Sequence, residues 1–161
     1  MSIFEDDGAI DSHEFRLLRG RLSFTGAAGL GAVGTVTIAT ITGQVEINRL
    51  YAYVSEALVS VSNTGTITLG VTSNDQVLIA PTTVAPGAFD LGTWWTSSAG
   101  GVTPGLDLVY SVLGAALATA GNLINTIATN NVTNGQLDYG LWWRPLSADC
   151  SLTLGPNLVA I

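Results

Sequence analysis

Residues 122–147 read NLINTIATNNVTNGQLDYGLWWRPLS, and the second half of that stretch decides how the chain folds. Leu137, Tyr139, Leu141 and Trp143 fall on one side of an extended chain; Asp138, Gly140, Trp142 and Arg144 fall on the other. Side chains alternate across a strand, so this period of two predicts a half-buried strand. Asn134-Gly135 ahead of it reads as a turn, because both residues tolerate positive φ. Pro145 closes the run, having no N–H to offer a neighbouring strand. The side carrying Trp142 and Arg144 is expected to face outward. Those two residue types anchor protein interfaces.

Upstream, Leu113, Ala116, Leu117, Ala120, Ile124 and Ile127 fit a helical stripe. Ile124, Thr126 and their β-branched neighbours equally fit a strand paired with residues 136–144. We expect strands at both ends of 106–129 and a loop around Gly114–Gly121. Further back lie Thr35–Thr42, then Val45 and Ile47 leading into Leu50–Val54. Leu58–Ser62 and Thr66–Val71 flank Asn63-Thr64-Gly65. Val77–Ala80 is stopped by Pro81, and Phe89–Trp95 follows Pro86-Gly87. Asp149–Leu154 supplies a last strand. Eight or nine short strands with turn signals between them predict an all-β fold, an antiparallel β-sandwich or jelly roll of about eight strands.

Residues 1–31 have a different texture. Eight of the first 21 residues are charged, against nine in all the rest. Asp11 with Glu14, Ile10 with Phe15, and Phe15, Leu18 and Leu22 on one helical face predict a short amphipathic helix ending at Gly20. Gly26–Gly34 then reads as a small-residue linker. The expected division is an N-terminal arm, 1–31, and a β-sandwich domain, 32–161. Gly29, Gly31 and Gly34 spell G-x-G-x-x-G, but neither the strand before nor the helix after that a dinucleotide site needs is foreseen.

Composition excludes several function classes. The 161 residues carry 47% hydrophobic and only 11% charged residues, with no lysine. A net charge of −7 does not suit nucleic acid, which needs a basic face. Without lysine there is no Schiff-base chemistry and no Walker-type phosphate loop. The single histidine, His13, stands apart from the β core, and the acids of the core are widely spaced. The single Cys150 allows neither an intrachain disulfide nor a cysteine metal cluster. No catalytic residue, cofactor or metal is therefore expected. Leu108–Gly121 is uncharged but shorter than the ~20 residues of a spanning helix, so no membrane role is expected. Acids at positions 5–7 do not suit a signal peptide. Asn131-Val132-Thr133 matches a glycosylation acceptor without a secretory context.

Two tryptophan doublets, Trp94-Trp95 and Trp142-Trp143, must each turn one ring outward on a strand. With the arginines, they give the candidate interface residues: Trp142, Arg144, Trp94, Phe15, Arg16 and Arg19. So apolar and weakly charged a chain predicts burial against other subunits.

From GTVTIATITGQVEI to WWRPLS, about residues 33–147, the chain resembles small structural proteins of tailed bacteriophages. It is most similar to the capsid decoration, or cement, proteins with a jelly-roll or sandwich domain. The likeness is one of texture: Thr/Ala/Gly-rich strands, few charges and a short polar arm. Tail-tube, baseplate and fibre proteins share it. The resemblance implies a non-enzymatic virion protein, a homotrimer on the capsid surface, assembled in the host cytoplasm. Its partners would be itself and the major capsid protein. A carbohydrate-binding or adhesin module using Trp142 or a neighbouring Trp as a platform is the alternative.

Overall fold

In chain order the strands are β1 (Arg16–Ser23), β2 (Gly34–Thr42), β3 (Val45–Ser60), β4 (Thr66–Val71), β5 (Asn74–Thr83) and β6 (Thr93–Trp95). They continue with β7 (Val102–Pro104), β8 (Ala116–Ala118), β9 (Gly121–Ala128), β10 (Val132–Pro145), β11 (Ser151–Leu154) and β12 (Val159–Ala160). The structure is a computed structural model and describes residues 14–95, 102–104, 116–118 and 121–161.

Among the described residues the strand pairings are all antiparallel and build two sheets. The seven-stranded sheet has the order β12-β1-β10-β3-β6-β7, with β8 also pairing β3; the five-stranded sheet runs β11-β2-β9-β4-β5. The four-strand set β1-β10-β3-β6 thus faces β2-β9-β4-β5. Successive strands change sheet at β1–β2, β2–β3, β3–β4, β5–β6, β8–β9, β9–β10, β10–β11 and β11–β12. This is the jelly-roll connectivity, eight strands in two Greek keys. The other four strands are short additions to it.

Alternation builds the core. Leu50, Ala52 and Val54 on β3, Leu137, Tyr139 and Leu141 on β10, and Val36, Ile38 and Ile41 on β2 all turn inward and are buried. Leu69, Leu123 and Ile127 close the opposite side. Each fully buried side chain of this size contributes roughly 1.5–3 kcal/mol. Among the described residues, two hydrogen bonds between strand side chains cross between the sheets. Trp95 Nε1 donates to Thr82 Oγ1 at 3.0 Å, and Asn125 Nδ2 donates to the buried Tyr139 hydroxyl.

Several expectations are corrected. Residues 16–23 are strand β1, not a helix, and pair with β10 along their whole length, from Arg16↔Trp143 to Ser23↔Gln136. Leu18 and Leu22 do share a face, but it is a strand face with Gly20 between them. A Cβ at Gly20 would meet Leu154 and Leu158. The packing of those leucines, not a helix stop, explains the glycine. The sandwich therefore begins by Arg16, and a domain boundary at residue 31 would cut through it. Ile10 and Asp11 lie outside the described residues.

Asn134-Gly135 is not a turn ahead of β10 but an irregularity within it, where the register against β3 shifts. Gly135 has φ +108, and a Cβ there would meet Ala57 and Leu58, so the bulge requires glycine. β9 does not pair with β10; the two lie in opposite sheets, joined through Thr129–Asn131. β3 is one strand of 16 residues where two were expected. β5 continues through Pro81, which is tolerated because β5 is an edge strand. Of Phe89–Trp95, only Thr93–Trp95 is strand. Val102–Pro104 forms β7, which none of the expected strands covered, Ala116–Ala118 forms β8 within the expected loop around Gly114–Gly121, and most of 106–120 lies outside the described residues.

Candidate functional site: the outer face of the seven-stranded sheet

The period-two reading of β10 places its side chains correctly. Trp143 is 5% exposed and Leu141, Tyr139 and Leu137 are fully buried, whereas Trp142 and Arg144 are half-buried on the other side. The second doublet splits in the same way: Trp95 is buried against Phe89, and Trp94 looks outward. Cross-strand register then gathers the outward rings. Gly140 pairs with Tyr51, Trp142 with Arg49, and Tyr53 with Trp94. Ring centroids lie 5.5 Å apart for Trp142–Tyr51, 5.2 Å for Tyr51–Trp94 and 4.9 Å for Trp94–Tyr53. Four rings on β10, β3 and β6 are thus joined by successive contacts.

Gly140 makes these contacts possible. The Tyr51 ring occupies the space that a side chain at position 140 would fill. This is the covering of a strand glycine by an aromatic from the neighbouring strand.

Around the rings stand the cations. All five arginines of the chain are on strands of this one sheet: Arg16, Arg19 and Arg21 on β1, Arg49 on β3 and Arg144 on β10. Two of them are neutralised. Arg21 grips Asp138 with Nε–Oδ1 at 2.6 Å and Nη2–Oδ2 at 2.8 Å, and Ser55 Oγ donates to the same carboxylate at 3.0 Å. The Arg21 guanidinium holds the Asp138 carboxyl below its usual range; burial pushes the other way, and Ser55 and the nearby Arg19 add to the lowering. Arg144 Nε donates to Glu46 Oε2 at 2.5 Å, and the Phe15 ring lies 5.2 Å from its guanidinium carbon. That pair depends on the bulge in β3 beside Trp142/Trp143, which turns Glu46 onto the outer face. Arg16 stands over the Trp143 ring at 5.4 Å. Arg19 and Arg49 are exposed and form no ion pair among the described residues.

Of the six residues expected at an interface, Trp142, Arg144, Trp94 and Phe15 form or border this surface, and Arg19 projects from the same face of β1. Arg16 lies at the start of β1, over the inward-facing Trp143. Tyr51, Tyr53, Arg49, Gly140 and Glu46 were missed. Their signal was present in Arg49-Leu50-Tyr51-Ala52-Tyr53, where arginine and two tyrosines alternate with small or apolar residues.

Among the described residues, no group of three or more His, Cys, Asp or Glu side chains could hold a metal ion, and no helix is long and apolar enough to cross a membrane. His13 lies outside them. Asn131 is already engaged, its Oδ1 accepting from the Val33 N–H at 2.9 Å. What the face offers is non-covalent: π-surface, two free guanidinium groups and the exposed Leu17 beside Trp142. In comparisons with known proteins, no family model, no curated protein and no solved structure matches this chain.

Proposed function

We propose that the chain is a non-enzymatic structural protein of a phage virion, assembling with copies of itself and seating on the capsid as a decoration protein. One observation carries this reading: a four-ring aromatic cluster bordered by unpaired arginines on the outer face of a jelly-roll sheet. Aromatic rings and arginine are the side chains that repay burial at protein interfaces. The virion setting comes from the resemblance of the strands to cement proteins. Burying this face between subunits would make rupture of the shell first break those contacts.

A sugar-stacking platform is the second reading, favoured by the half-exposed Trp94 and Trp142. The rings, however, are tilted by 48–70° to one another, which does not make a flat platform. The test is light scattering on the purified chain, with co-sedimentation on phage capsids. The expected result is a homo-oligomer, with a trimer foremost, that sediments with heads and loses both properties in Trp142→Ala/Trp94→Ala. A monomer near 16.6 kDa that ignores capsids and binds on a glycan array would replace this reading with the second.

A further inference from the structure

We propose that the arginine-bordered aromatic face receives residues 1–13, MSIFEDDGAIDSH, of a neighbouring copy. This inference rests on the reading of that face as an assembly surface, and it names the segment the face holds.

Charge is the first ground. The chain carries twelve acids and five bases, and all five bases lie on one sheet. Asp138 and Glu46 neutralise Arg21 and Arg144, so the unspent charge on the face is that of Arg19 and Arg49. Residues 1–13 hold Glu5, Asp6, Asp7 and Asp11 and no Lys or Arg. A segment so acidic complements the one basic surface of an otherwise acidic chain.

Chemistry is the second. Ile3 and Phe4 directly precede the acids, so one short peptide brings an aromatic and carboxylates together. The face offers the reciprocal pair: Arg49 stands opposite Trp142, and Arg19 lies across Gly140 from Tyr51. Phe15 resting on Arg144 is the same kind of contact, already made within the subunit.

Reach is the third. The segment joins the fold at Glu14–Arg16, beside Trp143 and Arg144 at the end of the sheet where the face begins. Thirteen residues span at most about 45 Å when extended, enough to cross from one subunit onto the next. Phe15 already covers the near side of the subunit's own Arg144, which favours delivery to a neighbour over a fold back.

The experiment uses the full chain, the chain lacking residues 1–13, the variants Arg19→Glu/Arg49→Glu and Trp142→Ala/Trp94→Ala, and a synthetic peptide of residues 1–13. Expected are an oligomer for the full chain and about tenfold or greater weakening of self-association in the truncated chain and in the arginine variant, growing less marked as salt rises. The peptide is expected to quench tryptophan fluorescence of the truncated chain, and not of the same chain carrying Arg19→Glu/Arg49→Glu. Should the tryptophan variant dissociate while truncation leaves the oligomer intact, the face is an interface but residues 1–13 are not its occupant. If the peptide binds while the full chain is monomeric, the segment folds back on its own subunit and delivery to a neighbour is overturned. Tryptophan variants that assemble normally would overturn the reading of the face itself. Circular dichroism of each variant separates these outcomes from simple unfolding.

Discussion

The ring of Tyr51 lies over Gly140, its partner across β3 and β10, and is flanked by Trp142 and Trp94. Gly140→Ala sets a methyl group against that ring. Tyr51 cannot swing aside freely, because Trp142 and Trp94 flank it. The variant is expected to lose about 1–3 kcal/mol, as overpacking does, and to change the near-ultraviolet dichroism of the aromatic cluster. Urea melts and near-ultraviolet spectra check it; an unchanged spectrum would mean that Tyr51 relaxes without cost.

Adjacent tryptophans should behave in opposite ways. Trp143 faces the core and is 5% exposed, so Trp143→Ala is expected to cost ~3–5 kcal/mol. Trp142 loses mainly its contact with Tyr51, and its replacement should cost under ~1.5 kcal/mol. Thermal melts on the two single variants decide it. Reversed costs would mean a register one residue away.

The Asp138 carboxyl is held below its ordinary range, chiefly by Arg21. A depressed folded value means stabilisation that is full above the unfolded value of about 3.9 and is lost as pH falls through the folded value. Asp138→Asn should therefore be less stable than the parent at neutral pH, with the difference shrinking in acid. Denaturant melts from pH 7 to pH 2 read this directly. A difference that grows in acid would contradict the assigned pair.

Tyr139→Phe removes the hydrogen-bond partner of the Asn125 side-chain amide, whose Oδ1 already lacks one among the described residues. A buried amide left wholly unpaired should cost ~1–3 kcal/mol. Combining Tyr139→Phe with Asn125→Leu should recover part of that loss, since both polar groups are then gone. Urea titration of the single and double variants tests the coupling.

Two truncations should differ sharply. Removing residues 1–25 extracts β1 from between β10 and β12 and uncovers Leu137, Tyr139 and Leu141. That chain is expected to be unfolded by circular dichroism. Removing residues 1–13 spares every strand among the described residues, and the domain should still melt cooperatively.

Much of the fold was legible because a buried sheet face writes itself as alternation. Leu137 to Trp143 and Val36 to Ile41 could be sided from sequence alone, and so could the splitting of both tryptophan doublets. Strand partners could not. Nothing local to Ile124–Ile127 tells that β9 pairs with β2 and β4 rather than with β10, because that choice is made by contacts distant in sequence. β1 was misread for a related reason. Leu18 and Leu22 are spaced by four, which suits a helix and a strand alike, and Gly20 between them decides only once Leu154 and Leu158 are seen against it. The site was half legible. Trp142 and Arg144 announced an outward face, but Tyr51, Trp94 and Arg49 joined them only through the register.

The order β12-β1-β10 has a consequence for how the molecule comes into being. β1 is made first, yet its partners are β10, whose paired residues begin at Gln136, and β12 at Val159–Ala160. A ribosome releases the first strand long before either neighbour exists. The nascent chain must carry Leu18, Leu22 and Phe24 unsheltered until β10 has been made, and closure of the sheet waits for Val159–Ala160. Such long-range pairing makes for slow folding and for exposure to aggregation on the way. A low-charge chain with no lysine is poorly protected during that wait, which makes chaperone dependence during expression an expected trait of this topology.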